Sequence, residues 1–190
     1  YNVLGCVASA LSFGIKMNDI IKKLETMPAV PGRFETIKNN IEARIVVDFA
    51  HTDDGLLNIG KTLKQITDNQ VITIFGAGGD RDHDKRPKMA KAATKFSDYI
   101  ILTSDNPRTE NPVKILADIE KGLIAEKYPF DKYIIISDRE KAIRYGMRLL
   151  QKGDSLLIAG KGHETYQIIK DKIIHFDDRE EARNIIRKCR

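Results

Sequence analysis

Val71-Ile-Thr-Ile-Phe75-Gly-Ala-Gly-Gly-Asp80-Arg81 is the stretch on which the fold turns. Its first five residues are β-branched or aromatic and show no polar alternation, the pattern of a strand buried on both faces. The glycines that follow let the chain turn sharply and let backbone N–H groups approach an anion or a substrate closely. The spacing is not that of a dinucleotide fingerprint, because Arg81 stands where a third glycine is needed.

Outward from this stretch the same unit recurs. Apolar runs lie at Ile45–Val47, Tyr99–Leu102, Tyr133–Ile136 and Ser155–Ala159, with amphipathic stretches of helical length at 54–67, 86–97, 112–127 and 139–151 between them. Strand–helix alternation predicts an α/β fold: a Rossmann-like, open, mostly parallel sheet with helices on both faces. Beyond the last run, Tyr166-Gln-Ile-Ile and Lys172-Ile-Ile-His-Phe flank Lys170-Asp171, a C-terminal β-hairpin, and a helix over 178–188 closes the chain. Toward the other end, Val3 to Phe13 has helical spacing stopped by Gly14, and Asn18 can cap a second helix over Asp19–Met27. Pro28 and Pro31-Gly32 then break the chain. Two short helices and a hinge make a poor domain, so residues 1–30 read as the tail of another domain and 31–190 as a domain. The chain opens on Tyr1 without an initiator Met, so Tyr1 is expected not to begin the gene product.

Composition narrows the function classes. Of 190 residues 42% are hydrophobic and 31% charged, a globular balance. Thirty-two Lys and Arg against 27 Asp and Glu give +5, which suits phosphates or carboxylates as well as nucleic acid. No Lys/Arg run is interleaved with aromatics, so nucleic acid is not expected as a partner. No stretch reaches the ~18 apolar residues of a membrane span. Cys6 and Cys189 lie near opposite ends and outside any C-x-x-C pair, which fits a reducing cytoplasm rather than a disulfide framework.

Four of the five predicted sheet strands end in an unusual polar cluster: Asp48-Phe-Ala-His51, Gly76-Ala-Gly-Gly-Asp80-Arg81, Ser104-Asp105-Asn106-Pro107-Arg108 and Gly160-Lys-Gly-His-Glu164. In open parallel sheets ligands bind at the carboxyl ends of the strands, so all four should line one rim. Asp80-Arg-Asp82-His-Asp84 imitates a calcium loop, but Lys85 and Lys91 occupy the positions that need Gly and Glu. Gly160-Lys161-Gly162 lacks the spacing and the Ser or Thr of a phosphate loop. His51 and His163 show no metal-ligand spacing, so no metal site is expected. Arg108 can hold a carboxylate with two parallel hydrogen bonds. With Arg81 beside it and Glu164 able to meet an ammonium, the rim suits an amino acid bearing more than one charged group.

Together these clusters resemble the MurE branch of the Mur ligases. The resemblance also takes in Tyr1-Asn2, Pro31-Gly-Arg-Phe-Glu35, Lys85-Arg-Pro87 and Phe176-Asp-Asp-Arg-Glu180, and so spans nearly the whole chain. It implies the C-terminal, amino-acid-binding domain of an ATP-dependent ligase of cell-wall synthesis. Such an enzyme joins a diamino acid, here meso-2,6-diaminopimelate, to UDP-N-acetylmuramoyl-L-alanyl-D-glutamate. It implies an amino-acid pocket at Arg81, Asp105, Asn106, Pro107, Arg108, Gly160 and Glu164, with Asn2, Arg33, Asp48 and His51 near ATP. It further implies that ATP and Mg2+ belong to the whole enzyme, that the N-terminal and central domains of the same polypeptide are partners, and that this chain alone is inactive. Asp53 and Asp82-His83-Asp84 depart from the family's usual residues. The alternatives are a muramyl-peptide recycling ligase, a folate-type glutamyl ligase, or a stand-alone non-catalytic binding module.

Overall fold

A computed structural model describes residues 2–188; Tyr1 and Cys189, which entered the sequence reading, lie outside the described residues. The chain divides after Val30 into two compact units. The first holds α1 (Asn2–Ser12) and α2 (Met17–Glu25), with Ile20 the one buried residue of the pair. Asn18 does not cap α2. The backbone N–H groups of Asp19 and Ile20 already donate to the Lys16 carbonyl, so the helix starts at Met17 and Asn18 sits inside its first turn.

The second unit contains β1 (Glu35–Ile37), β2 (Arg44–Asp48), α3 (Asp53–Gln65), β3 (Val71–Phe75), α4 (Lys85–Ala93), β4 (Tyr99–Leu102), α5 (Pro112–Ala125), β5 (Tyr133–Ile135), α6 (Arg139–Leu149), β6 (Ser155–Ala159), the hairpin β7 (Tyr166–Ile169) and β8 (Lys172–His175), and α7 (Asp178–Lys188). Six strands form one sheet in the order β1-β2-β6-β3-β4-β5, parallel throughout except for β1. The predicted α/β architecture, with its hairpin, is therefore present.

Strand burial explains the even apolar runs. In β3 and β6 every residue is buried, because helices cover both sides. Val46, Phe75, Leu102, Leu157 and Ala159 pack on one face against α3, α4 and α5. Ile45, Ile74, Ile101, Leu156 and Ile158 pack on the other against α6 and α7. The chain thus crosses one face from β2 to β5, then returns through α6 to place β6 between β2 and β3. Successive strand ends send their loops to opposite faces there, which opens a crevice at the carboxyl edge.

Helix starts are written into the loops that leave this edge. The Thr52 hydroxyl accepts from Gly55 N–H at 3.1 Å and opens α3, with Asp53 and Asp54 in the first turn favoured by the helix dipole. Asn111 accepts from Val113 N–H, and Pro112 begins α5. Asp138 accepts from Lys141 N–H to start α6. The expected helix 86–97 stops at Ala93, where Lys95 and Phe96 form tighter bonds back to Ala92 and Ala93. Phe96 thereby enters the core beside Gly60. Among the described residues no helix is long and apolar enough to cross a membrane.

Candidate amino-acid site at the sheet's carboxyl edge

The loop after β2 is fixed by Asp48. Its carboxylate accepts from Ala50 N–H at 2.8 Å and from Phe34 N–H at 2.7 Å, and so holds Phe34 at a left-handed φ of 46°. The Phe49 ring stands 4.7 Å from His51 and 5.1 Å from His163, and the Arg33 guanidinium lies 4.7 Å from its centroid. Phe49 therefore organises a small cationic and aromatic ledge.

Glycine is required after β3 because two backbones nearly touch. A Cβ on Gly76 would lie 2.1 Å from the Thr103 carbonyl oxygen, and one on Gly79 2.0 Å from that of Pro107. The loops after β3 and β4 thus run in contact, and Gly79 N–H donates to the Asn106 carbonyl. Glu110 joins them from below, accepting from Asp80 N–H and, at 2.8 Å, from the buried Arg86. The Arg86 hydrogen bond pulls the Glu110 carboxyl down to about 2.

Arg108 occupies a left-handed backbone, φ 51°, which a bulky residue adopts only when it is held there. β7 holds it: Arg108 N–H donates to Ile168 at 3.0 Å, and Lys170 N–H donates to the Arg108 carbonyl at 2.7 Å. The Gln167 amide donates to the Asp105 carbonyl at 2.6 Å, and Ile168 N–H to Asn106 Oδ1 at 3.0 Å. The hairpin, visible in the sequence only as two short strands around Lys170-Asp171, is the template for the Asp105–Arg108 loop. The Arg108 guanidinium donates to the Gly79 carbonyl at 2.7 Å, which aims it along the loop after β3.

Past β6, Gly160 has φ 115° and passes 3.1 Å from Asp105 Oδ2, measured from the position a Cβ would take. The next residue, Lys161, has no exposed side-chain surface. Its ammonium contacts Asn106 Oδ1 at 3.1 Å, Glu164 Oε2 at 3.3 Å and Asp105 Oδ1 at 3.4 Å. Below, Arg139 and Asp178 form a wholly buried pair at 2.7 Å, and Arg139 also donates to the carbonyls of Ser104 and Ala159. Burial acts to lower the Arg139 pKa, and the carboxylates of Asp178, Asp105 and Glu164 together raise it.

These loops enclose a cavity of about 200 Å3, lined among others by Phe49, His51, Arg81, Lys85, Asp105, Asn106, Arg108, Gly160 and Glu164. All four clusters thus contribute to one wall, as the rim argument expects. Of the residues singled out in the sequence, Pro107 is behind the wall with its carbonyl against Gly79, and Asp48 and Arg33 brace the Phe49 ledge. Asn2 belongs to the first unit. Phe49, Lys85 and Lys161 stand inside the sequence motifs but carry no individual site role there. Lys161, between two glycines at a strand end with His163 and Glu164 beside it, marks a binding loop; its full burial does not follow from that pattern. Chemically, Arg81, Lys85 and Arg108 present cations to the cavity and Asp105 and Glu164 present carboxylates, a lining suited to a zwitterion with an extra anionic group. Among the described residues no cluster of three or more His, Cys, Asp or Glu could hold a metal ion.

Residues 32–162 match the family described as Mur ligase, glutamate ligase domain. The chain is 49% identical over 187 residues to a UDP-N-acetylmuramoyl-L-alanyl-D-glutamate–2,6-diaminopimelate ligase of Fusobacterium nucleatum, covering 98% of the chain and 38% of the relative. It is 47% identical to the protein of the same name from Geobacillus kaustophilus, with 99% and 38% covered. A solved structure of such a ligase superposes with a TM-score of 0.77 at 39% identity over 99% of this chain and 38% of that one. A UDP-N-acetylmuramate–alanine ligase from Thermotoga maritima, at 18% identity and TM-score 0.65, shares the fold, with 99% and 36% covered. The chain thus spans 38% of the length of the curated relatives it matches. On the family match and the sheet edge together, this chain belongs to the Mur ligases.

Proposed function

We propose that this chain is the amino-acid-binding part of a longer cytoplasmic ligase that adds 2,6-diaminopimelate to UDP-N-acetylmuramoyl-L-alanyl-D-glutamate at the expense of ATP. The observation that carries it is the convergence of Arg81, Arg108 and Glu164 on one cavity of about 200 Å3. Diaminopimelate has two carboxylates and two amines, and one amine must remain free to attack. In this reading the guanidinium of Arg108 takes the distal carboxylate, Arg81 the other anionic end, and Glu164 the distal ammonium. The names of the relatives support the same substrate. Residues 1–30 are then the end of the central, ATP-binding domain, and Asn2, Arg33, Asp48 and His51 border the nucleotide. Asp48 and Arg33 act there by fixing the Phe49 ledge. The ligase chemistry forms an acyl phosphate on the dipeptide carboxylate, which the amine attacks with loss of phosphate. Mg2+ would neutralise the phosphates, and its ligands would come from the rest of the polypeptide.

The test is kcat/KM of the full-length protein for diaminopimelate and for lysine, in wild type and in Arg108→Ala. Truncating one partner of a desolvated charged pair costs about 2–5 kcal/mol, so diaminopimelate use should fall roughly thirtyfold to several thousandfold. Lysine lacks the distal carboxylate, so its poor use should change far less. Arg108→Lys should recover only part, since an ammonium cannot reproduce the planar fork. Equal losses for the two amino acids would mean that Arg108 only pins the loop to the Gly79 carbonyl.

A further inference from the structure

Lys161 is a lysine that binding does not explain. Its side chain is wholly buried, and its ammonium has three N–H groups and three acceptors around it: Asp105 Oδ1, Asn106 Oδ1 and Glu164 Oε2. The Tyr166 ring closes the shell at 5.7 Å. A buried cation persists only when it is paired and hydrogen-bonded, and an apolar residue would fill the same space without that demand. The site gains something from the charge. Asp105 and Glu164 are two carboxylates in the wall of one small cavity, and without a cation between them they would repel.

The network also divides the work of Glu164. Its Oε2 accepts from Lys161 and, at 3.0 Å, from the Asn106 amide. Its Oε1 accepts no bond among the described residues. Asn106 is committed on both sides, accepting from Lys161 and Ile168 and donating to Glu164. We propose that Lys161 is a positioning and specificity-determining residue, whose buried ammonium locks Asn106 and one oxygen of Glu164 so that the other Glu164 oxygen is presented to the ammonium of the incoming amino acid. Lys161 never touches the substrate; it acts through Glu164. The proposal rests on the reading of the cavity as the amino-acid site.

The experiment is a double-mutant cycle in the full-length enzyme: wild type, Lys161→Met, Glu164→Gln and the pair, with KM measured separately for diaminopimelate and ATP. Lys161→Met should raise KM for diaminopimelate at least about tenfold while KM for ATP stays within about twofold. The double variant should be no worse than Glu164→Gln alone, because the lysine has nothing left to position. Lys161→Arg should restore part of the lost affinity. Penalties that multiply, or a parallel rise in both KM values, would overturn the proposal and make Lys161 a residue of the core. Failure of Lys161→Met, Lys161→Gln and Lys161→Arg alike to give folded protein would count against it in the same way. A wild-type enzyme that ignores diaminopimelate sinks the substrate reading instead, and the cycle is then read with the amino acid it does use.

Discussion

Glu110 shows how one carboxylate can hold two functional loops in register. It stands after the Asp105–Arg108 loop, accepts from Asp80 N–H in the neighbouring loop, and pairs with Arg86 at 2.8 Å from the start of α4. The Arg86 hydrogen bond lowers its pKa from 4.5 to about 2. A depressed carboxylate stabilises the fold fully above its unfolded pKa, and the contribution disappears as pH falls through the folded value. In Glu110→Gln that contribution is absent at every pH. Urea unfolding of the two proteins should therefore differ most near neutral pH and converge as pH drops from about 5 toward about 2. A gap that stays constant with pH would show that the loss comes from packing rather than charge. At this scale the sequence was legible where residue chemistry is unusual for its place, as with Arg108 beside a proline. It was silent on Glu110, because what Glu110 does depends on Arg86 and Asp80, brought to it by strand pairing.

Between elements, close approach decides more than propensity. Gly122 lies inside α5, where alanine would ordinarily favour the helix by up to about 1 kcal/mol. Here a Cβ would stand 2.2 Å from the Pro87 carbonyl oxygen and 2.8 Å from the Ala90 side chain, so α4 and α5 meet backbone to backbone. Gly122→Ala should lower the unfolding free energy by about 1–3 kcal/mol, the usual cost of overpacking, despite the gain in helix propensity. A chemical-denaturation curve superposable on wild type would mean that the two helices can separate without loss. Helix and strand positions were legible because apolar runs and amphipathic stretches alternate so regularly. β1 was not, since three residues after a proline hinge carry no period, and it exists because β2 offers an unpaired edge. The role of the hairpin was hidden for a related reason: backbone hydrogen bonds such as Arg108 to Ile168 leave no trace in side-chain pattern.

For the whole molecule, strand order is the feature that chain order conceals. The rule that ligands gather at the carboxyl edge was enough to bring four clusters to one rim, yet nothing local to 155–159 says that β6 enters between β2 and β3. Full burial requires an inner position for β6, as it does for β3, and the choice between inner positions is not written in the run itself. The same accounting predicts how the chain behaves when cut. Both core clusters lie wholly within residues 31–190, and the buried Arg139–Asp178 pair, which ties α6 and α7 to the ends of β4 and β6, lies there too. The first unit has a single buried residue in its helices and leaves Val3, Leu4, Leu11, Phe13 and Met17 exposed. Its apolar surface is too little enclosed to support the rest. A protein beginning at Pro31 should therefore fold cooperatively, with a thermal midpoint within about 4 °C of the 190-residue chain, a shift of roughly 1 kcal/mol for a domain of this size. It should also be less prone to associate, because the exposed apolar residues leave with the deleted segment. Calorimetry and light scattering on the two proteins measure both effects. A midpoint lower by tens of degrees would show that the first 30 residues are part of the domain's own core.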